Sequence, residues 1–127
     1  MKTNIELVEF AKKAVNDGWV YWYGTTGKKC TKDLYNRKKV QYPSHYTEDR
    51  TTKYMKHISE NRMCSDCIGL PKAYMWTRED GTQGYGINGM PDTSADGAYN
   101  SAKTKGDIKT IPEIPGVMLH MKGHAGV

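Results

Sequence analysis

Apolar residues recur at helical spacing along the first part of the chain. Thr3 and Glu6 stand in front of this pattern as in a capping box, and Gly18 is a typical helix end. The pattern therefore predicts an N-terminal helix whose apolar stripe lies against the core. The stripe consists of Ile5, Val8, Ala11 and Val15, widened by Leu7, Phe10 and Ala14.

Beyond this helix the pattern changes twice before the middle of the chain. Residues 19–24 are aromatic and β-branched, which favours a short extended segment stopped by glycine. Residues 25–46 are polar and basic with little periodicity, and they predict no regular element. Helical spacing returns over 47–61 and again over 67–78, so two further helices are expected there.

The last third of the chain predicts one short helix and two strands. Residues 80–112 are rich in glycine and polar residues, and only 94–102 has helical spacing. A strand is expected over 116–121, then a tight turn and the start of another strand at His124. Helices first and strands last indicate the α+β class, with N-terminal helices packed on a small C-terminal antiparallel sheet.

The length of 127 residues predicts one domain over residues 1–127. A hairpin made only of the last two strands would be marginal by itself. We therefore expect an incomplete sheet, which missing final strands, or self-association with another copy, would complete.

The composition narrows the class of protein. The chain has 19 Lys and Arg residues against 14 Asp and Glu residues, which gives a formal net charge of +5. This charge is expected either to attract polyanions or to lie on a solvated basic surface that binds nothing in particular. No apolar run resembles a signal peptide or reaches the ~18 residues of a membrane helix, which favours folding in a cytosol without stable membrane association. Three cysteines exclude a complete disulfide framework and favour a reduced compartment.

Cys67 is the candidate nucleophile. It follows Asp66 and precedes a predicted helix, whose dipole favours the reactive thiolate, and Gly69 leaves room for the close approach of a substrate or another segment. Three alternatives stay open: a buried and inert thiol, a redox Cys-x-x-Cys pair, and a zinc site. The zinc ligands would be Cys30, His57, Cys64 and Cys67.

The candidate base is a histidine, since a neutral imidazole within hydrogen-bond reach can take the proton of a thiol. His45 and His57 lie in polar segments and are expected at the surface. His124 is followed by Ala125 and Gly126, whose small size would let it stand against another element. The alternative for His124 is a strand-end histidine without a catalytic role.

Three short motifs occur in the order found in the NlpC/P60 family of papain-like cysteine peptidases, and in them the chain resembles that family. The motifs are Tyr21-Trp22-Tyr23-Gly24, Asp66-Cys67-Ile68-Gly69-Leu70 and His124-Ala125-Gly126-Val127. The resemblance implies a papain-like fold and hydrolysis of amide bonds in peptidoglycan. It also implies the peptidoglycan stem peptide as partner, and no cofactor, metal or nucleic acid.

The same resemblance assigns roles to individual residues. Cys67 would be the nucleophile and His124 the general base, while the Cys67 backbone N–H would contribute to the oxyanion hole. Tyr21, Asp66 and Gly69 would form the oxyanion and substrate-binding part of the site, with Tyr21 lining the cleft beside the reacting carbonyl and Asp66 recognising the substrate. Together with the missing signal peptide, the family suggests a phage endolysin that accumulates in the host bacterial cytoplasm before release to the cell wall.

The chain departs from the family pattern at three points. Ile68 stands where serine is usual, and the stretch between Gly24 and Asp66 is longer, so that it is expected to cover or reshape the cleft. No third polar residue follows His124 to orient it, which suggests a domain truncated after the histidine motif and puts the activity of this chain in question. A non-catalytic module that binds cell wall or another polyanion, and a small zinc-stabilised domain, are the alternative functions.

Overall fold

In the computed structural model, which describes residues 2–127, five α-helices, two short 3-10 helices and five short strands form an α+β architecture, the class that the sequence predicts. The helices are α1 (Asn4–Asn16), α2 (Lys32–Gln41), α3 (Thr51–Ser59), α4 (Gly69–Trp76) and α5 (Ala95–Ser101). The strands are β1 (Val20–Tyr21), β2 (Thr26–Lys29), β3 (Met63–Ser65), β4 (Leu119–Met121) and β5 (His124–Gly126). The 3-10 helices cover Glu48–Arg50 and Ile108–Thr110.

Helix α1 begins at the predicted capping box. The Thr3 hydroxyl oxygen accepts the Glu6 backbone N–H at 3.1 Å, and the Thr3 N–H donates to the Glu6 carboxylate at 3.3 Å. The predicted apolar stripe is only partly right. Ala14 is buried, whereas Ile5 and Val15 are exposed, because α1 packs one narrow face against α4 and leaves the rest in solvent.

A three-stranded sheet lies in the first half of the chain, in the order β1-β3-β2. Strand β3 is central, with β1 parallel to it and β2 antiparallel. The sequence pattern predicted only a C-terminal sheet, and that prediction was incomplete. These strands have 2, 4 and 3 residues in chain order, which is too short for an alternating pattern to be visible.

An aromatic core covers one side of this sheet. Trp22 is completely buried, and the rings of Tyr35, Tyr46 and Tyr54 surround it, the last with ring centroids 5.2 Å apart. Helix α2 contributes Leu34 and Tyr35 to the core, although the sequence predicted no regular element over 25–46. The sequence pattern does not predict this helix, because its two buried residues are adjacent and do not form an apolar stripe at helical spacing.

The C-terminal part contains the predicted short helix and the predicted hairpin. Helix α5 is capped by Ser94, whose hydroxyl oxygen accepts the Gly97 N–H at 2.9 Å. Strands β4 and β5 pair antiparallel in a separate two-stranded sheet that packs against α5. Within the described residues 2–127, no helix combines the length and the apolar character needed to cross a bilayer.

Candidate functional site

Cys67 lies in the short turn that joins the central strand β3 to α4. The strand ends at Ser65 and the helix begins at Gly69, so the thiol stands just before the helix, half-buried. An Asp66 side-chain oxygen accepts the Gly69 N–H at 2.6 Å, as a capping residue does at a helix start. Asp66 thus holds the first residue of α4 in place, although the position directly before the helix is Ile68, which makes no side-chain cap bond.

The Asp66 carboxylate fixes the turn from two sides. Its second oxygen accepts the Gly24 N–H at 2.9 Å, which ties the loop after β1 to the start of α4. Burial raises the pKa of Asp66, against the lowering effect of these two backbone hydrogen bonds. Both oxygens are engaged within the protein, so substrate recognition by Asp66 stays a prediction, whereas its structural contact is observed.

Tyr21 stands beside Cys67 because β1 runs parallel to β3. The register pairs Tyr21 with Ser65, two positions before the thiol. Partial burial, followed by the electrostatic effect of the neighbouring Cys67 and Asp66, raises the pKa of Tyr21 to about 12. The phenol therefore remains protonated around neutral pH and can donate a hydrogen bond toward the cleft.

Gly69 permits a close contact between α4 and the start of β2. A Cβ atom at this position would overlap the backbone carbonyl oxygen of Thr25, which itself accepts the Asp66 N–H at 3.0 Å. The sequence predicted that Gly69 leaves room for another segment or a substrate. The structure shows that a backbone segment of the same chain takes that room.

Two hollows meet at Cys67. The larger is a cleft of about 770 Å³, and the smaller has a volume of about 230 Å³ on the side of β5. Cys67, Asp66 and Tyr21 line both. The stretch between Gly24 and Asp66 contributes side chains to the wall of the larger cleft. Its contributions are Thr26, Lys28, Lys38, Gln41 and Tyr42.

Strand β5 approaches Cys67 through Ala125 rather than through His124. Ala125 is buried against Ile68 and Ala95, with Cys67 at the edge of the same cluster. Successive side chains of a strand point to opposite faces, so His124 lies on the face of the hairpin opposite Ala125. Its ring is exposed and makes no side-chain hydrogen bond to any residue in 2–127. The structure therefore brings the strand of His124 to Cys67, but not the ring to the thiol.

A polar cluster that the sequence did not reveal holds the hairpin on α5. One Asp96 oxygen accepts the Gly123 N–H at 2.7 Å and lies 2.8 Å from His120 Nε2. The His120 ring stacks on Tyr99 with centroids 4.3 Å apart. The bond from Gly123, followed by that to His120, holds the pKa of Asp96 below its usual range. Asp96 is 24 residues from His120, and no local spacing signals such a contact.

The other cysteines are buried in the core, whereas His45 and His57 are half-buried beside it. Cys30 and Cys64 are buried, and a hydrogen bond to Cys64, together with burial, raises the pKa of the Cys30 thiol. The prediction of a surface position for His57 was only partly right, since the side chain is half-buried and its Nδ1 accepts the Trp22 indole N–H at 3.0 Å. His45 is also half-buried, stacked on Tyr23.

These positions do not assemble the zinc site that the sequence left open. Cys67 faces the cleft, while Cys64 packs in the aromatic core. Among residues 2–127, no group of three or more His, Cys, Asp or Glu side chains is arranged to hold a metal ion.

Comparisons of the chain with protein-family models, with curated proteins and with solved structures found no match in any of the three. The likeness to NlpC/P60 peptidases therefore rests on the three short motifs. The geometry around Cys67 is the independent ground for a functional argument.

Proposed function

We propose that this chain is a papain-like cysteine hydrolase domain that cleaves an amide bond in peptidoglycan, with Cys67 as nucleophile. The observation that carries the proposal is the position of Cys67. Its thiol lines an open cleft at the turn from the central strand into α4, and Asp66 anchors that turn through two backbone hydrogen bonds. Reactive cysteines are partially exposed, as Cys67 is, whereas buried structural cysteines such as Cys30 and Cys64 are inert.

The reaction follows the chemistry of cysteine acyl transfer. His124 takes the proton of the Cys67 thiol, and the resulting thiolate attacks the carbonyl carbon of the amide. The backbone N–H of Cys67 and the Tyr21 hydroxyl donate hydrogen bonds to the oxygen as it becomes negative. The C–N bond then breaks, and the protonated His124 gives its proton to the departing amine. Water hydrolyses the resulting thioester, which releases the acid and restores the thiol.

This mechanism requires His124 to face Cys67. In the observed hairpin the ring lies on the opposite face from Ala125. A shift of one residue in the pairing of a strand exchanges its two faces. The proposal therefore includes such a rearrangement of β5 in the active enzyme, and the role of His124 is tested separately from that of Cys67.

The first test is the reactivity of the three thiols toward iodoacetamide, mapped by peptide mass spectrometry. Cys67 should be labelled fastest, because Cys30 and Cys64 are buried. If His124 is the base, His124→Ala should slow the labelling of Cys67 several-fold at neutral pH, whereas His45→Ala should leave it unchanged. Equal labelling of all three thiols in the folded protein would count against a nucleophilic Cys67.

The second test measures the release of new amino groups from isolated bacterial cell walls. The proposal predicts release by the purified protein and none by Cys67→Ala. Release that persists in this variant would remove Cys67 from the mechanism. The identity of the new terminal residue would show which amide bond is cleaved.

A second candidate function is favoured by the orientation of His124. A domain with a net charge of +5 whose histidine faces away from the thiol could bind cell wall without cleaving it. Such a module would be retained on walls equally by the wild type, Cys67→Ala and His124→Ala, with no amino groups released. Retention combined with release identifies the hydrolase.

A further inference from the structure

The cleft beside Cys67 is lined by as many lysines as aspartates, but the two kinds differ in their partners. All six side chains belong to the wall of the same hollow. They are Lys28, Lys38, Lys72, Asp66, Asp92 and Asp96. The partners of each charge decide which kind of ligand the cleft can accept.

Each aspartate of the cleft is already engaged. Asp92 accepts a hydrogen bond from Lys72 Nζ at 2.7 Å and another from the Tyr85 hydroxyl at 2.6 Å. Lys72 is 5% exposed, so this ion pair is largely withdrawn from solvent on the lysine side. Asp66 accepts two backbone N–H groups, and Asp96 binds Gly123 and His120. All three carboxylates therefore already have hydrogen-bond partners within the protein.

The two remaining lysines have only neutral partners. Lys38 Nζ donates to Gln41 Oε1 at 3.0 Å, and Lys28 Nζ donates to the side-chain oxygen of Gln83. Across the described residues 2–127, neither ammonium group forms an ion pair. Lys38 is half-buried on α2, and this partial burial is the main cause that lowers its pKa. A partly desolvated cation held by a neutral amide gains more from a carboxylate than an exposed cation does.

We propose that the part of the cleft built by β2 and α2 binds a carboxylate of the peptide substrate through Lys38 and Lys28. The identity of that peptide rests on the proposed function. The aromatic rings of Tyr23, Tyr42 and Trp76 line the same cleft and suit the body of a peptide.

A polyanion fits this cleft less well than a single carboxylate. Among the described charged residues of the cleft, Lys28 and Lys38 are left to balance the charge of a ligand, and a nucleic acid or a polyphosphate brings more negative charges than these two ammonium groups offset. In the described part of the chain no arginine lines the cleft, and arginine is the residue that matches phosphate groups in bidentate geometry. The charge pattern therefore favours a ligand with one carboxylate over a polymer of anions.

The test compares two alkylating reagents of similar size at Cys67, the anionic iodoacetate and the neutral iodoacetamide. Both rates are measured by mass spectrometry on the wild type and on Lys38→Met. Loss of the Lys38 charge should lower the iodoacetate rate about fivefold through the lost Coulomb attraction, and leave the iodoacetamide rate unchanged. Lys28→Met should act in the same direction, and Lys38→Arg should keep the wild-type ratio.

Lys39→Met is the matched control. Lys39 is the exposed neighbour of Lys38 on α2 and does not line the cleft, so its loss removes the same charge outside the site. The rate ratio should change by less than about twofold in this variant. An equal fall in Lys38→Met and Lys39→Met would reduce the effect to net charge, and no fall in Lys38→Met would overturn the carboxylate site.

A kinetic experiment tests whether this carboxylate site takes part in the hydrolysis of a peptide. Wall-derived peptides are offered with a free carboxylate and as the corresponding carboxamide. Lys38→Met should raise KM for the carboxylate form alone and leave kcat unchanged. Failure to hydrolyse either peptide would overturn the proposed function, while the alkylation ratio would still decide whether the cleft attracts a carboxylate.

Discussion

The region around β3 and the C-terminal hairpin are held in place by different forces. Around β3, Trp22 is 0% exposed and aromatic rings enclose it. The position of the hairpin is held by the packing of Ala125 and by the hydrogen bonds of one carboxylate, Asp96. Many apolar side chains in and around the hairpin are exposed to solvent. The exposed residues are Ile108, Ile111, Ile114, Met118, Leu119, Met121 and Val127.

This difference divides the candidate site into two parts. Tyr21, Asp66 and Cys67 are positioned by the sheet and by the buried core beneath it. The position of His124 depends on how the hairpin sits against α5 and α4. A packed core resists displacement, whereas a surface held by a few polar contacts can adopt another register. The hairpin is therefore the part of the site in which a rearrangement costs least.

The polar ends of the core aromatics also organise the loops near the site. The Tyr46 hydroxyl donates to the Tyr23 carbonyl oxygen at 2.6 Å, next to Gly24, whose N–H binds Asp66. The Tyr54 hydroxyl donates to the His45 carbonyl oxygen at 3.1 Å. Throughout residues 2–127, every buried side-chain nitrogen or oxygen has a hydrogen-bond partner. Core packing and site geometry are thus coupled around β3.

The largest effect is expected from Trp22→Ala. The substitution leaves a cavity among Tyr35, Tyr46 and Tyr54 and should lower the free energy of unfolding by about 3–5 kcal/mol. Urea denaturation followed by circular dichroism measures this change. Val40→Ala, at a position that is 85% exposed, is the control and should be nearly neutral. Similar losses for the two variants would contradict the difference in packing.

Gly69→Ala should have the next largest effect. Its Cβ would meet the Thr25 carbonyl oxygen, which is backbone and cannot rotate away, so we expect a loss of about 1–3 kcal/mol. Gly126→Ala is the matched control in the hairpin, because its Cβ would find open space. The denaturation midpoints of the two variants measure this difference in stability. A neutral Gly69→Ala would mean that the two backbone segments are not held together.

On acidification, the packing around His57 should lose stability before the contacts of Asp96 with the C-terminal hairpin do. Burial, and then the charges of Lys53 and Arg62, lower the pKa of His57 below its ordinary value of 6.5. The unfolded chain thus binds the proton at a higher pH than the folded protein. The stability that neutral His57 contributes is complete above pH 6.5 and is lost as the pH falls from there to the folded pKa.

Denaturation midpoints measured across this range test the effect. The wild-type midpoint should fall on acidification, and His57→Gln should show a smaller fall, since it has no ring to protonate. The Asp96 cluster should persist over the same range, because the pKa of Asp96 is held low. An identical pH dependence in the two proteins would remove His57 as the cause.

The smallest and most local effect is expected from Asp96→Ala. It removes the acceptor of the Gly123 and His120 contacts, and should speed amide hydrogen exchange in β4 and β5 several-fold while β3 is unaffected. Asp107→Ala, which removes the cap of the exposed 3-10 helix Ile108–Thr110, is the control. Faster exchange in β3 as well would show that the two regions open together.

The elements that sequence patterns predicted well are those with local signals. The capping box of α1 and the tight turn before His124 each lie within a few residues of the structure that they specify. Helix α2 lacked a periodic stripe, and the strands around β3 were too short to alternate visibly. In the site, the structure places Tyr21, Asp66 and Cys67 in the wall of one cleft, and the roles that the motifs assign to them stay predictions.

By itself the sequence determined the α+β class, the capped start of α1 and the tight turn before His124, because caps, turns and glycines act over a few residues. Only the tertiary structure decided that β1 pairs parallel to β3, that Asp96 clamps the hairpin and that the ring of His124 faces away from the thiol. These features join residues distant along the chain. Their energy comes from long-range packing and from strand register, which no local pattern encodes.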